Sequence, residues 1–140
     1  MRQKTVSMIK KVHDLLISNN YLTTEELCKS VHLKRWAIYH IIRKLRLDGI
    51  GIIPTRKGYI LSESAQKRDD VTFIRRCFGR RTSDLIALHA AENDIVKRWK
   101  SIEDKNNINQ VFKYLSLKPI NEKKAIDGMH YLIESINKHD

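Results

Sequence analysis

Polar and apolar positions alternate along most of this chain with a helical period. Between Thr5 and Asn19 the apolar residues Val6, Ile9, Val12, Leu15, Leu16 and Ile17 mostly recur at three and four, the stripe of an amphipathic helix laid on a core. Asn19 and Asn20 end it. Thr23 then offers an N-cap oxygen with Glu26 three residues on, a capping box that opens a second helix near Thr24 and carries it to about Ser30. Leu33 supplies an apolar plug before a third helix from Lys34 to Asp48, which Gly49 can close with a positive φ. Ala37, Ile38, Ile41, Ile42 and Leu45 share one side of that helix, and Arg35, Trp36, Tyr39, His40 and Arg43 share the other. The first set is predicted as core; the second is free to contact something. Ile50 to Ile53 and Tyr59 to Ser62 are strand-like runs around a turn from Pro54 to Gly58, with Arg56 and Lys57 at its tip.

The polar stretch Glu63 to Asp70 predicts a linker or extended connection, and beyond it everything has a helical pattern. Helices are expected at about Asp70 to Phe78, Ser83 to Trp99, Asn107 to Leu117 and Asn121 to Asn137. The predicted fold class is therefore mainly α. Residues 1–62 form three helices and a two-stranded hairpin, 63–70 a linker, and 71–140 a helical domain of about four helices. Ala125, Ile126, Met129, Leu132, Ile133 and Ile136 make a strong stripe on the last helix.

Charge separates the two halves. The chain carries a formal +11, and residues 1–62 hold twelve Lys or Arg against four Asp or Glu, whereas residues 63–140 hold fifteen against twelve. A positive field of this size favours polyanions, and it lies mainly on the first half. Cys28 and Cys77 stand among apolar neighbours rather than at ligand spacing, which points to small core residues and away from a disulfide framework or zinc site. No run approaches the roughly 18 apolar residues of a membrane span, and the start lacks a secretory signal, so a cytoplasmic location is expected.

Thr23-Thr24-Glu25-Glu26-Leu27, then Leu33, Arg35, Ile38, Tyr39, Ile42 and Leu45, then Gly58-Tyr59 and Leu61, resemble the biotin-repressor type of winged helix-turn-helix over residues 5–62. The sequence departs from that pattern at His32, where the family usually has a turn glycine, and at Lys34, where it usually has a serine that caps the recognition helix. The resemblance implies a unit that presents one basic helix to the major groove and one hairpin, the wing, to the backbone.

On that basis the expected partner is double-stranded DNA. Arg35 and Arg43 are the base-reading candidates, since an arginine can bond a guanine edge bidentately, and Lys34 is the phosphate candidate. Trp36 is expected either against a thymine methyl or sugar, or half buried under the wing. Tyr39 and His40 complete the face. Thr23 and Thr24 cap a helix whose first amides suit a phosphate, and Arg56 and Lys57 suit a minor groove or phosphate. Arg75, Arg76, Arg80 and Arg81 form a second basic cluster, divided between internal ion pairs and added DNA contact.

His89 and Glu92 stand three apart on a helix, but no matching pair elsewhere completes a metal set. No acid, base, nucleophile or phosphate-cradling loop stands out, so neither enzymatic activity, a cofactor nor a small-molecule ligand is expected. The stripe from Ala125 to Ile136 reads either as plain core closing the helical half on itself or as a pairing face; because a single head covers few base pairs, a homodimer is expected, paired through Ile126, Met129, Leu132, Ile133 and Ile136. The role this predicts is transcriptional regulation, with a replication-origin or partition factor and a winged-helix protein-interaction module as alternatives.

Overall fold

The computed structural model describes residues 3–116 and 121–139. Within them the chain is mainly helical, with a small antiparallel sheet: α1 (Gln3–Ser18), α2 (Thr24–Val31), α3 (Arg35–Leu47), β1 (Ile52–Thr55), β2 (Gly58–Leu61), α4 (Lys67–Cys77), α5 (Thr82–Arg98), α6 (Ile102–Leu115) and α7 (Glu122–His139). The expected end of the sixth helix at Leu117, and Pro119 after it, lie outside the described residues. No helix among those described is long and apolar enough to cross a membrane.

The hairpin divides two apolar cores. In its register Ile52 pairs with Leu61 and Ile53 with Ile60. Because side chains alternate across a strand, successive pairs point to opposite faces. Ile52 and Leu61 join Val12, Leu16, Leu27, Ile38 and Ile42 from the first three helices. Ile53 and Ile60 join Phe73, Ile74, Ala91, Ile95 and Trp99 from the helices that follow. All four hairpin side chains are buried. A two-stranded ribbon with one face in water is marginal; this one is covered on both sides.

The expected linker is corrected by that packing. Ser62–Ser64 form a 3-10 turn, Ala65 is buried, and α4 begins at Lys67 with Asp69 accepting from the Gln66 amide at 2.9 Å. Ser62 is buried and its hydroxyl donates to the Asp94 carboxylate of α5, while a Cβ on Gly51 would overlap Ser62 Oγ and come within 3.0 Å of Ala91 Cα. The polar run reads as a connector because its hydroxyls and carboxylates are the caps and anchors of a tight junction. β1 also starts two residues later than expected and carries Pro54 on an edge strand, where a missing N–H is tolerated.

In the helical half, Asp70 is fully buried and accepts from Arg98 Nε and Nη2, each at 2.8 Å, and from Trp99 Nε1 at 3.1 Å. Burial pushes its carboxyl above the ordinary range, and Arg98 and Trp99 hold it back. The sixth helix starts at Ile102, five residues before the expected Asn107, because Ser101 caps it by accepting from the Asp104 amide at 3.1 Å. Polar Asn106 and Asn107 mask that start in the sequence.

The stripe on the last helix packs within the chain, as its core reading has it. Met129, Leu132 and Ile136 are buried in the chain's own second core, and Ile133 packs against it. Gly128 lets α7 approach the α6 backbone, since a Cβ there would stand 3.0 Å from the Asn107 carbonyl oxygen. Of the stripe only Ile126 stays exposed, so pairing two copies through it requires opening α7 from α6.

The two halves share the hairpin as a wall, so they are expected to unfold together. Ile53→Ala removes a fully buried side chain of the second core and is expected to lower stability by about 2–5 kcal/mol. In a Trp36→Phe background Trp99 is the only indole. Its fluorescence in urea should lose signal at the same midpoint as the helical circular dichroism, with or without Ile53→Ala. Two separated midpoints would show that the halves unfold independently.

Candidate functional site

The start of α2 is fixed by its own side chains. Thr23 Oγ1 accepts from the Glu26 amide and Glu26 Oε1 accepts from the Thr23 amide, both at 3.1 Å, which forms the expected capping box. At its end His32 takes the left-handed conformation (φ 56°, ψ 46°) and its amide donates to the Cys28 carbonyl. The turn is therefore made without the glycine that usually occupies such a position, at a cost of about 1 kcal/mol for an L residue. Lys34 is the N-cap of α3 and, as its side chain requires, supplies no capping hydrogen bond.

α3 separates its faces as its periodicity predicts. Ile38, Ile41, Ile42 and Leu45 are buried, and Lys34, Arg35, Trp36, Tyr39, His40 and Arg43 are all exposed. Trp36, 64% exposed, is not under the hairpin; it stands in the open, edge-on to His40 at 5.9 Å between ring centroids. Arg35 is paired with Glu25 of α2, and both side chains remain more than half exposed.

The hairpin is held against this helix pair at three points. Leu22 and Tyr59 exchange backbone hydrogen bonds of 3.0 and 2.7 Å, an added bridge beyond β2. Arg46 donates from Nε and Nη2 to the Ile52 carbonyl at 3.1 and 2.7 Å and lies over the Tyr59 ring. Burial lowers the Arg46 guanidinium to about 10. Lys57 at the tip sits 5.3 Å from the centroid of Tyr21, whose hydroxyl donates to Asp69 of α4 at 2.8 Å. Burial first, and that bond second, push the Tyr21 phenol up to about 12.

These elements enclose an open groove of about 640 Å³. Thr23 and Thr24 stand at one end of it, Tyr39, His40 and Arg43 along α3, and Arg56 on the hairpin, so the structure brings six of the ten sequence-predicted site residues to one cleft. Lys34, Arg35 and Trp36 lie outside it and, with Tyr39, flank a second, apolar groove on the other side of the α3 face. Lys57 is beside the first groove, over Tyr21.

Arg76 of the second basic cluster also lines the first groove, with Arg46, Ser83 and Asp84, which were not among the expected site residues. Arg46 was legible as the residue one turn beyond Arg43; Ser83 and Asp84 come from the helical half, whose position no local pattern encodes. Arg76 Nε pairs at 3.1 Å with Asp84, whose side chain is almost fully buried. Within the second basic cluster Arg80 turns away, stacked on Tyr114 and bonded to its carbonyl.

Cys77 is buried and Cys28 half-buried, and neither is in a disulfide. Burial pushes the Cys77 thiol up to about 12, which marks it as an inert core group. His89 and Glu92 border an apolar groove between α5 and α6. Among the described residues no three His, Cys, Asp or Glu side chains converge to hold a metal ion.

Chemically, the groove offers the cations Arg43, Arg46, Arg56 and Arg76 and the hydroxyls of Thr23, Thr24 and Ser83, together with the carboxylates of Glu25 and Asp84. No family model matches this chain, nor does any curated protein or solved structure.

Two backbone positions of the frame give opposite expectations. Gly58 has φ +128°, and a Cβ there would stand 2.5 Å from the Leu22 carbonyl carbon and 2.8 Å from the Thr23 amide nitrogen. Gly58→Ala should destabilise by more than about 1 kcal/mol, and His32→Gly should stabilise by about 1 kcal/mol. Denaturant midpoints of the two variants read both signs; unchanged stability in Gly58→Ala would mean that the hairpin is not held in this register.

Proposed function

We propose that residues 1–62 act as a winged helix-turn-helix head that binds double-stranded DNA by sequence, and that the chain serves as a transcriptional regulator. One observation carries the reading. The face of α3 opposite the core is exposed and carries Lys34, Arg35 and Arg43, and its His40 and Arg43 side opens between the capped start of α2 and the hairpin tip, so three segments can meet one duplex together. In this reading α3 enters the major groove. Lys34 meets a phosphate, Arg35 and Arg43 reach base edges, the first amides of α2 face the backbone beside Thr23 and Thr24, and Arg56 and Lys57 lie along the adjoining strand.

The Arg35 pair with Glu25 fits the same reading. Between exposed groups such a pair contributes little, so exchanging the carboxylate for a guanine edge meets no large barrier. The helical half, joined through the hairpin wall, is the part that would communicate with other proteins.

Duplexes selected from a random-sequence pool provide the test. Affinity should fall steeply between about 50 and 200 mM salt, with Lys34→Ala reducing the slope of log K against log salt by about 0.9 equally for all duplexes. Arg35→Ala should instead relax preference at one base pair, at about 1–3 kcal/mol. Glu25→Gln should tighten binding by freeing Arg35. Affinity indifferent to salt would reject the proposal.

A further inference from the structure

The exposed side of α3 is chemically split. Toward the hairpin it presents His40 and Arg43 over the cationic groove. Away from the hairpin it presents Trp36 and Tyr39 beside Leu33 and Cys28 in a second groove whose charged lining is Lys29, Lys34 and the paired Arg35 and Glu25. Trp36 is 64% and Tyr39 47% exposed, so two aromatic rings on one helical face lie in water next to half-buried apolar neighbours. Leaving an indole so placed forgoes burial of a large apolar area. No other described element covers it: α1, the hairpin and the helical half pack elsewhere on α3.

An occupant of this groove is apolar at its centre and anionic where it meets Lys29 and Lys34, since Arg35 is paired with Glu25. On the reading of α3 as a major-groove helix, the duplex offers one group of that kind. The floor of the major groove is lined by hydrogen-bonding edges except at the 5-methyl of thymine, and phosphates run along both rims. We propose that the Trp36 and Tyr39 side of α3 is a thymine-reading subsite, with Trp36 against a thymine methyl while Lys34 and Arg35 meet the flanking phosphate and base. The inference rests on the DNA reading and adds to it which base is recognised on this flank.

Trp36 is exposed, so Trp36→Ala and the bulkier Trp36→Gln should both leave the fold intact, as circular dichroism will show. The probe is the duplex selected from a random-sequence pool, compared with the same duplex carrying uracil in place of thymine at one position at a time. Removing the contacted methyl should weaken binding by about fourfold, the equivalent of one buried methylene. In Trp36→Ala and Trp36→Gln the same replacement should have no effect, because the partner of the methyl is gone. Three results overturn the proposal: selected duplexes with no fixed thymine, uracil tolerated at every position by the unsubstituted protein, or a uracil effect that persists without Trp36. Failure to retain any duplex would instead sink the DNA reading itself, and salt-insensitive capture of an apolar peptide on this groove would assign the face to protein.

Discussion

The alternation of Ile52 and Ile53 to opposite faces of one short hairpin is the constraint on which the rest of the structure depends. Both residues and their partners Leu61 and Ile60 are buried, one pair in each core. A hairpin that closed a free-standing head would have one apolar and one solvated face. Here a slip of one residue would exchange the side chains of two cores at once, so the register is specified from both sides. Gly51 and Ser62 sit at the base of the ribbon, where backbone-to-backbone contact with α5 leaves no room for a larger residue.

That constraint explains what could be read from the chain and what could not. The three first helices, the Thr23 capping box and the two faces of α3 were legible because each is a local pattern of spacing. The hairpin was legible in outline from Pro54, Gly58 and the apolar runs beside them. Its second buried face was not, because Ile53 and Ile60 look the same whether they face water-excluding helices or end a small domain. The stretch from Glu63 to Asp70 misled for a related reason: Asp70 is polar yet wholly buried, and only the distant Arg98 and Trp99 make that burial affordable. The stripe on α7 was correctly read as apolar, but whether such a face meets its own chain or another copy is a property of α6 lying against it.

Departures from the winged-helix pattern had different consequences. His32 occupies a left-handed position that glycine normally fills, and the turn keeps its hydrogen bond to Cys28, so the substitution falls on stability rather than on shape. Lys34 does remove a cap, and in exchange places a cation at the first position of the exposed face. On the DNA reading the second departure moves a phosphate contact to the point where α3 begins.

The frame around α3 bears on how tightly such a face can bind. Association loses the freedom of every segment that must be ordered, so a head whose hairpin wandered would spend part of its contact energy on fixing it. In this chain the hairpin is fixed beforehand: Leu22 and Tyr59 bridge it to the entry of α2, Arg46 ties its first strand to α3, and the second core closes behind it. What remains to be ordered is a set of lysine and arginine side chains, one of which, Arg35, is paired with Glu25. On the DNA reading the helical half would act on the site by holding the angle between helix and hairpin, and it adds Arg76, Ser83 and Asp84 to the lining of the groove. A change anywhere in the second core that let Ile53 and Ile60 shift would reach the exposed face through two residues of strand.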